Sequence, residues 1–384
     1  MAKKTVTGRG KSYKGTKSAD LITVKGNENY VLARAGNDTI TVISGVNHWI
    51  EGEAGNDKIT IKGGNSSNIL GNKGNDEIIV KGGSNLSIDG DDDDTTGNDT
   101  ITLLKGTKND ITVKGNGGSD TIIVKSAGKG LLIFGGYESA YEDLDYDDGD
   151  TIILEKGVKS GAGVYGENGN DTITINGSSD HKISGGNGKD KITVSGGSKH
   201  SIYGEKGNDK ITVRGGLNHY INGGKGNDTI NITKGTDHLI LTGNGKDTIT
   251  ISGGKDHGVL LQSGTNIVNI SNPQNLDLEQ DSKYSADTIT VNGNFKSGHL
   301  YIRTIGNASK KYADSMIIND ISSKKVDFYY DSSNDSMGIG FADTRFITKS
   351  IIIFDWNENK AFSEVTFSDK TLSFGKINKI AKTF

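Results

Sequence analysis

The chain says the same thing every 19 residues. From Gly204 to His257 it reads GEKGNDKITVRGGLNHYINGGKGNDTINITKGTDHLILTGNGKDTITISGGKDH, and Asp171, Asp190, Asp209, Asp228 and Asp247 fall 19 apart without a slip. Each copy has a Gly-rich turn ending in Asn-Asp or Lys-Asp, a β-branched run such as KITV, a second turn such as GGLNH, and a shorter apolar run such as YI. A fixed period near 20 residues marks a solenoid, in which each repeat is one turn of a coil and buries its apolar face only against its neighbours. Composition alone would be marginal for folding, with 32% hydrophobic content, 56 Gly and one Pro in 384 residues. Periodicity removes the disordered reading, because the Ile and Val sit in register. A ligand is the obvious further source of stability, since the absence of Cys excludes a disulfide framework and a thiol active site.

Within a repeat, DTITV alternates strictly, so Ile40 and Val42 point one way and Thr39 and Thr41 the other. Twelve residues past each acid lies another apolar position: Ile50, Ile69, Ile88, Ile183, Ile202, Ile221 and Ile240. Two short strands per coil, facing each other across a thin core, satisfy both patterns. The expected fold is an all-β parallel solenoid with about 19 residues per coil.

Residues 1–16 are basic and Gly-rich, and are expected to be a frayed leader. The first coil is expected near Asp20, and the acids then run Asp38, Asp57, Asp76, Asp99, Asp120 and Asp150 before the regular series. The longer intervals fall at Asp89–Thr96 and Tyr137–Asp150, and insertions of this kind become loops on one side of a coil. After Asp247 the register position holds Asn266, and the pattern returns at Asp287. Residues 17–306 are thus expected to be the coil, and 307–384, the most apolar and aromatic part, a C-terminal β cap with a hairpin at SDKT.

The repeated turn, Gly-x-x-Gly-Asn-Asp, carries the chemistry. Its second glycine is Gly36, Gly55, Gly74, Gly169, Gly188, Gly207, Gly226 or Gly245, where the backbone can take conformations other residues resist. Coil stacking sets each Asp about 4.8 Å from the next, and like charges that close repel by about 1 kcal/mol per pair even in water. A hard cation wanting six to eight oxygens resolves this repulsion, and calcium tolerates the irregular geometry better than magnesium does. The bland alternative is that Asn-Asp is simply a good turn sequence. Recurrence in register, with the Asp always at the turn–strand junction, favours calcium.

Gly185-Gly186-Asn187-Gly188-Lys189-Asp190 and Gly223-Gly224-Lys225-Gly226-Asn227-Asp228, each followed by an alternating apolar pair, resemble the glycine-rich nonapeptide of the RTX family, the haemolysin-type calcium-binding repeats. The resemblance runs from Asp20 to about Asp287, and the tail FDWNENKAFSEVTFSDKTLSF resembles the segment that follows such repeats. It implies a right-handed parallel β-roll, calcium as the ligand, an extracellular location, and export through a type I secretion apparatus read from the C-terminus. It also implies a role as an adhesin, a surface-layer piece or the C-terminal module of a toxin or enzyme, with cell-surface or matrix glycans or proteins as partners. The family pairs two nonapeptides per coil. Here one half of each coil keeps the motif and the other reads GGxxHxI, so one calcium row is expected.

That second half carries His48, His181, His200, His219, His238 and His257, each ten residues past a repeat acid, with His299 twelve past Asp287. A transition-metal site or a pH switch is the functional reading. The structural reading is a ladder of imidazoles closing the core. Outward threonines at Thr39/Thr41, Thr172/Thr174 and Thr248/Thr250 raise an ice-binding alternative, although Lys58, Glu77, Ile79, Lys191, Lys210 and Asn231 interrupt the rows. The acidic runs Asp91–Asp94 and Asp143–Asp148 read as solvated loops or extra calcium sites. The second begins like an EF-hand but has its Gly149 one place late.

No zinc-protease, lipase or P-loop motif occurs. A polysaccharide-acting β-helix enzyme would need clustered acids and arginines, and the five arginines are scattered. A net charge of −4 with interspersed signs gives no footprint for nucleic acid, and there is no apolar run long enough to span a membrane. The N-terminus, basic and without an apolar signal segment, fits a cytosolic chain or one exported by a route that ignores it, and the resemblance then implies a calcium-binding, non-enzymatic, secreted solenoid.

Overall fold

A computed structural model describes residues 1–92, 96–136, 149–272, 274–280 and 287–292, and beyond them 298–304, 314–319, 326–331, 336–341, 349–354, 362–367, 371–373, 376–377 and 382–383. These form 37 β-strands. The chain divides into two compact units, Met1–Ile192 and Thr193–Phe384, and each is a parallel β-solenoid.

In the first unit one sheet is made by the strand that follows each acid. Leu21–Val24, Thr39–Val42, Lys58–Ile61 and Glu77–Val80 pair in parallel, each residue with its counterpart one coil away, as in Ile22↔Ile40 and Ile40↔Ile59. The opposite sheet is made by the shorter run, including Tyr30–Leu32, Trp49–Ala54 and Asn65–Lys73. Period-2 alternation sends Ile22, Ile40, Ile59, Val31, Ile50 and Ile69 into the space between the sheets, each fully buried. The second unit repeats this, with Ile211↔Ile230 and Ile230↔Ile249 in one sheet and Ile202↔Ile221 and Ile221↔Ile240 in the other. β-Branched side chains stack directly on their own kind in both sheets, which is why KITV and TINI serve equally well.

Two expectations change. Residues 1–16 are not a frayed leader: Lys3–Val6 pairs with Leu21–Val24, and Ser12–Lys14 pairs with Tyr30–Leu32, completing a first coil. Only Val6 of this coil is buried apolar surface, so its apolar pattern is too thin to read, and Lys3 and Lys4 place charge on the sheet edge, where it discourages further strand pairing. Past residue 306 the parallel winding continues: Gly298–Thr304 pairs with Lys349–Phe354, and Asp314–Asn319 with Phe362–Phe367. Antiparallel pairs then join it, Val326–Asp331 with Ser336–Phe341 and Phe362–Phe367 with Thr371–Ser373. The last of these is the hairpin expected around SDKT.

The acid edge and the histidine edge

Each solenoid has two turns per coil, and the two turns solve the same problem with different side chains. On the acid edge, the second glycine of the turn takes φ between 109° and 145° at Gly36, Gly55, Gly74, Gly169, Gly188, Gly207, Gly226 and Gly245. A Cβ at Gly188 would sit 1.5 Å from the Gly169 carbonyl oxygen, and one at Gly226 equally close to that of Gly207. The coils approach through these glycines, and no other residue fits.

The Asp that follows turns inward. Asp20, Asp38, Asp57, Asp76, Asp99, Asp120, Asp150, Asp171 and Asp190 in the first unit, and Asp209, Asp228, Asp247 and Asp287 in the second, are all at most 2% exposed. Its Oδ1 accepts a hydrogen bond from the backbone N–H of the acid one coil earlier: Asp38 to Asp57 at 2.7 Å, Asp57 to Asp76 at 2.6 Å, Asp209 to Asp228 at 2.8 Å. The neighbouring Asn forms a counter-directed ladder on the outside, where Asn56 N–H donates to Asn37 and Asn75 N–H to Asn56. Asx side chains thereby satisfy turn backbone groups that no sheet reaches.

The other carboxylate oxygen is the chemically informative one. Oδ2 of Asp38, Asp57, Asp76, Asp99 and Asp228 is buried with no hydrogen-bond donor. At Asp57 it faces the first glycine of the turn, Gly52, where a Cβ would meet Asp57 Oδ2 at 2.2 Å and the Gly71 carbonyl oxygen of the next coil at 2.7 Å. Gly71, Gly90, Gly115, Gly135, Gly166, Gly204 and Gly223 repeat this convergence of carboxylate and carbonyl oxygens. Burial pushes Asp57 up to about 6, Asp38 to about 7, and Asp76 and Asp99 to about 8, against the lowering effect of the backbone N–H. Neighbouring carboxylates add to the rise at Asp38, Asp76 and Asp99.

The column ends are built differently. Burial pushes Asp20 up, but donors outweigh it: the Thr16 and Ala2 N–H groups and the Thr16 hydroxyl hold its carboxyl below the usual range. At the far end Gln280 takes the position of the first glycine and its amide donates to Asp287 Oδ2 at 3.0 Å. In the coil before, Asn266 replaces the acid, and its own amide nitrogen donates to the Gln262 carbonyl. At Asp247 the glycine position is Thr242, whose hydroxyl partly counters the burial and charge that push that carboxyl to about 7. Where the protein supplies a donor, no cation is needed. Where it supplies none, as at Asp57 beside Gly52 and at Asp38 beside Ala33, an oxygen is left bare.

A hard cation fits that donor set, which is all oxygen and includes a bare carboxylate atom. Among the described residues no three acidic or histidine side chains gather as a cluster, so turn carbonyls would complete any shell. Asp38, Asp57, Asp76, Asp99, Asp120, Asp150, Asp171, Asp190, Asp209, Asp228 and Asp247 are the residues that would hold it. The glycines of the sequence reading shape the turn, and the first glycine of each motif, facing Oδ2, was the one that reading left out. The acidic run 143–148, like Asp93 and Asp94, lies outside the described residues.

On the opposite edge, His48, His181, His200, His219, His238 and His257 are buried at 2% exposure or less. In the second unit the rings of His200, His219, His238 and His257 stack at 4.7–4.9 Å between centroids, within 15° of parallel. Nδ1 accepts the backbone N–H one coil earlier, as from His200 to His219 and from His219 to His238, both at 3.2 Å. Nδ1 is therefore unprotonated and the proton sits on Nε2, which in His48 faces the Ser44 carbonyl at 3.1 Å. At His219, His238 and His257 the equivalent carbonyls of Gly215, Lys234 and Gly253 face the ring outside strict hydrogen-bond geometry. Burial lowers His181 and His219 to about 4 and His238 to about 3, the last helped by its two histidine neighbours. With both nitrogens turned to the backbone of their own edge, this is the structural ladder.

The residue before each histidine explains another part of the pattern. Asn47, Asp180, Asn218, Asp237 and Asp256 have φ between 54° and 57°, a left-handed conformation that Asn and Asp tolerate best, and Lys199, before His200, adopts it at 55°. His299 does not join the column. Leu276, which pairs with His257, pairs in turn with Leu300, so His299 is one residue out of register with the column.

No protein-family model and no curated protein matches the chain. Among solved structures it is similar to one described as a hyperactive, Ca2+-dependent, beta-helical antifreeze protein from an Antarctic bacterium, at 16% identity over 96% of this chain and 94% of that one, with a TM-score of 0.44. At that score the likeness adds nothing to the geometry above.

Proposed function

We propose that this chain is an RTX-like calcium-binding solenoid, in which calcium along the acid edge completes folding and stiffens the coil outside the cell, with no catalytic role. One observation supports it above the rest: the buried carboxylates of Asp38, Asp57, Asp76 and Asp99 in the first unit and Asp228 in the second are each held at one oxygen and bare at the other, whereas Asp20 and Asp287 have protein donors at Oδ2 instead. A buried charge without a partner costs several kcal/mol, so an uncompensated column would oppose folding at neutral pH. Binding free energy then becomes folding free energy. At cytosolic calcium the chain stays largely unfolded, and at the roughly 10⁻⁴–10⁻³ M affinity range of extracellular modules it folds after export.

Circular dichroism of the whole chain tests this. In EGTA the β spectrum is expected to be lost, and to return when calcium is added to millimolar levels. A β spectrum that EGTA leaves intact contradicts the coupling. Ice binding by the outward threonine rows is the weaker reading, because Lys58 and Glu77 form an ion pair across adjacent coils in the middle of that face. Thermal hysteresis of the calcium-loaded protein decides it.

A further inference from the structure

The histidine column of the first unit has a gap. Between His48 and His181 its register positions hold Ser67, Leu86, Ile111, Leu131 and Ala162. Beside this gap the surface sinks into an open trough of about 540 Å³, lined chiefly by Ser66, Asn68, Asn85, Ser87, Asp110 and Thr112. We propose that the trough binds an extended, neutral glycan chain lying along the coil axis. The proposal rests on this face of the solenoid and not on the calcium reading.

The depression follows from one outward column, which runs Trp49, Asn68, Ser87, Thr112 and Leu132 through successive coils. Three short polar side chains lie between two large ones, and Trp49 and Leu132 are each 40% exposed. The Trp49 indole N–H donates to the Glu51 carboxylate on the same strand, which pins the ring as a platform. Beyond Leu132 the adjoining outward column offers Phe134 stacked on Tyr165 at 5.1 Å. Ser66, Asn85 and Asp110 stand at the rim in left-handed conformations, at φ 53°, 52° and 58°. Hydroxyls, amides and one carboxylate beside the exposed Trp49 ring and the half-buried Phe134–Tyr165 pair are the groups that hydrogen-bond sugar hydroxyls and stack on pyranose rings.

Other occupants fit less well. The strands under the trough pair with a coil on each side, so no backbone edge is free to take a peptide strand. No Lys or Arg lines the trough and Asp110 does, which disfavours nucleic acid and acidic polysaccharides. A pyranose is about as long as the coil spacing of ~4.8 Å, so successive sugars can meet equivalent side chains of successive coils.

The experiment uses the full chain loaded with calcium. Isothermal titration is run with hexasaccharides of β-1,4-linked glucose, β-1,4-linked mannose and α-1,4-linked glucose, and with an oligogalacturonate as the anionic comparison. Ser87→Tyr fills the centre of the trough and Trp49→Ala removes the platform. Both positions face outward, so an unchanged dichroism spectrum certifies the fold of each variant. Saturable binding of at least one neutral hexasaccharide is expected, weakened roughly tenfold or more by Ser87→Tyr and severalfold by Trp49→Ala. No saturable binding of any neutral hexasaccharide, tighter binding of the oligogalacturonate, or full affinity in Ser87→Tyr would overturn the proposal.

Discussion

The two edges of each coil share a wiring plan. In both, a backbone N–H of one coil donates to a buried side-chain atom of the next: Asp Oδ1 on one edge, His Nδ1 on the other. What differs is the second atom. Imidazole is neutral in this state and turns Nε2 toward a carbonyl of its own turn, so the histidine edge closes with protein groups alone. Carboxylate keeps a second, charged oxygen, and from Asp38 to Asp99 that oxygen has no donor. One edge is self-sufficient; the other leaves charged oxygens that the proposed cation would take.

The largest effect expected from breaking this contrast is steric. Gly188→Ala, on the acid edge, forces a Cβ to within 1.5 Å of the Gly169 carbonyl at φ 143°, whereas Gly196→Ala, on the histidine edge, adds a Cβ in open space at φ 75°. Thermal melts should show Gly188→Ala abolishing or severely lowering the transition, and Gly196→Ala costing about 1–2 kcal/mol, the strain of a left-handed alanine.

Next come the ladder residues themselves. Asp57→Ala leaves the Asp38 N–H buried without an acceptor and should cost roughly 1–3 kcal/mol in denaturant unfolding. Asp57→Asn can keep that acceptor and remove the bare charge. It is expected to stabilise the calcium-free chain while reducing the stabilisation that calcium brings. His219→Leu removes the acceptor for the His200 N–H, so a cost similar to that of Asp57→Ala is expected in millimolar calcium, with the calcium dependence of folding unchanged. Zinc should leave the wild-type spectrum and stability unchanged.

The pH responses run in opposite directions. The histidines are lowered in the fold, to about 4 at His181 and His219 and about 3 at His238. Their contribution is whole above about 6.5 and is lost as pH falls toward those values, because the unfolded chain takes protons the folded one refuses. The calcium-free acids are raised, to between about 6 at Asp57 and about 8 at Asp76. Their contribution is whole below about 3.9 and is lost as pH rises through 6 to 8. Calcium should cancel the second loss and leave the first, which denaturant unfolding from pH 4 to pH 8 in calcium, and the pH at which the β dichroism spectrum disappears without it, will read. A loss near neutral pH that calcium does not reverse would remove the distinction between the edges.

Much of this was legible in the residues because a solenoid writes each structural position once per coil. The acid column, the inward Ile columns and the histidine column each recur every 19 residues, so position follows from count. Even the Asn or Asp before His48, His181, His219, His238 and His257 has a local cause, its left-handed φ. The first coil was not legible, since Lys3–Val6 has too little apolar pattern to stand out from a basic leader. Nor was His299, whose insertion could be counted but whose register depends on how Leu300 pairs. The split between bare and satisfied carboxylates is also invisible in the motif. It depends on whether a donor reaches Oδ2, as the Gln280 amide reaches Asp287 and the Thr16 N–H reaches Asp20 although Gly15 faces it, or none does, as at Asp57 beside Gly52.

The proposed calcium can be looked for directly. Anomalous difference density from crystals grown in calcium should place ions on the acid edge beside Asp57, Asp76, Asp99 and Asp228, with none beside Asp20 or Asp287, and none on the histidine edge. An acid edge without ions, or ions at Asp20 and Asp287 as strong as those beside Asp57, would contradict the account.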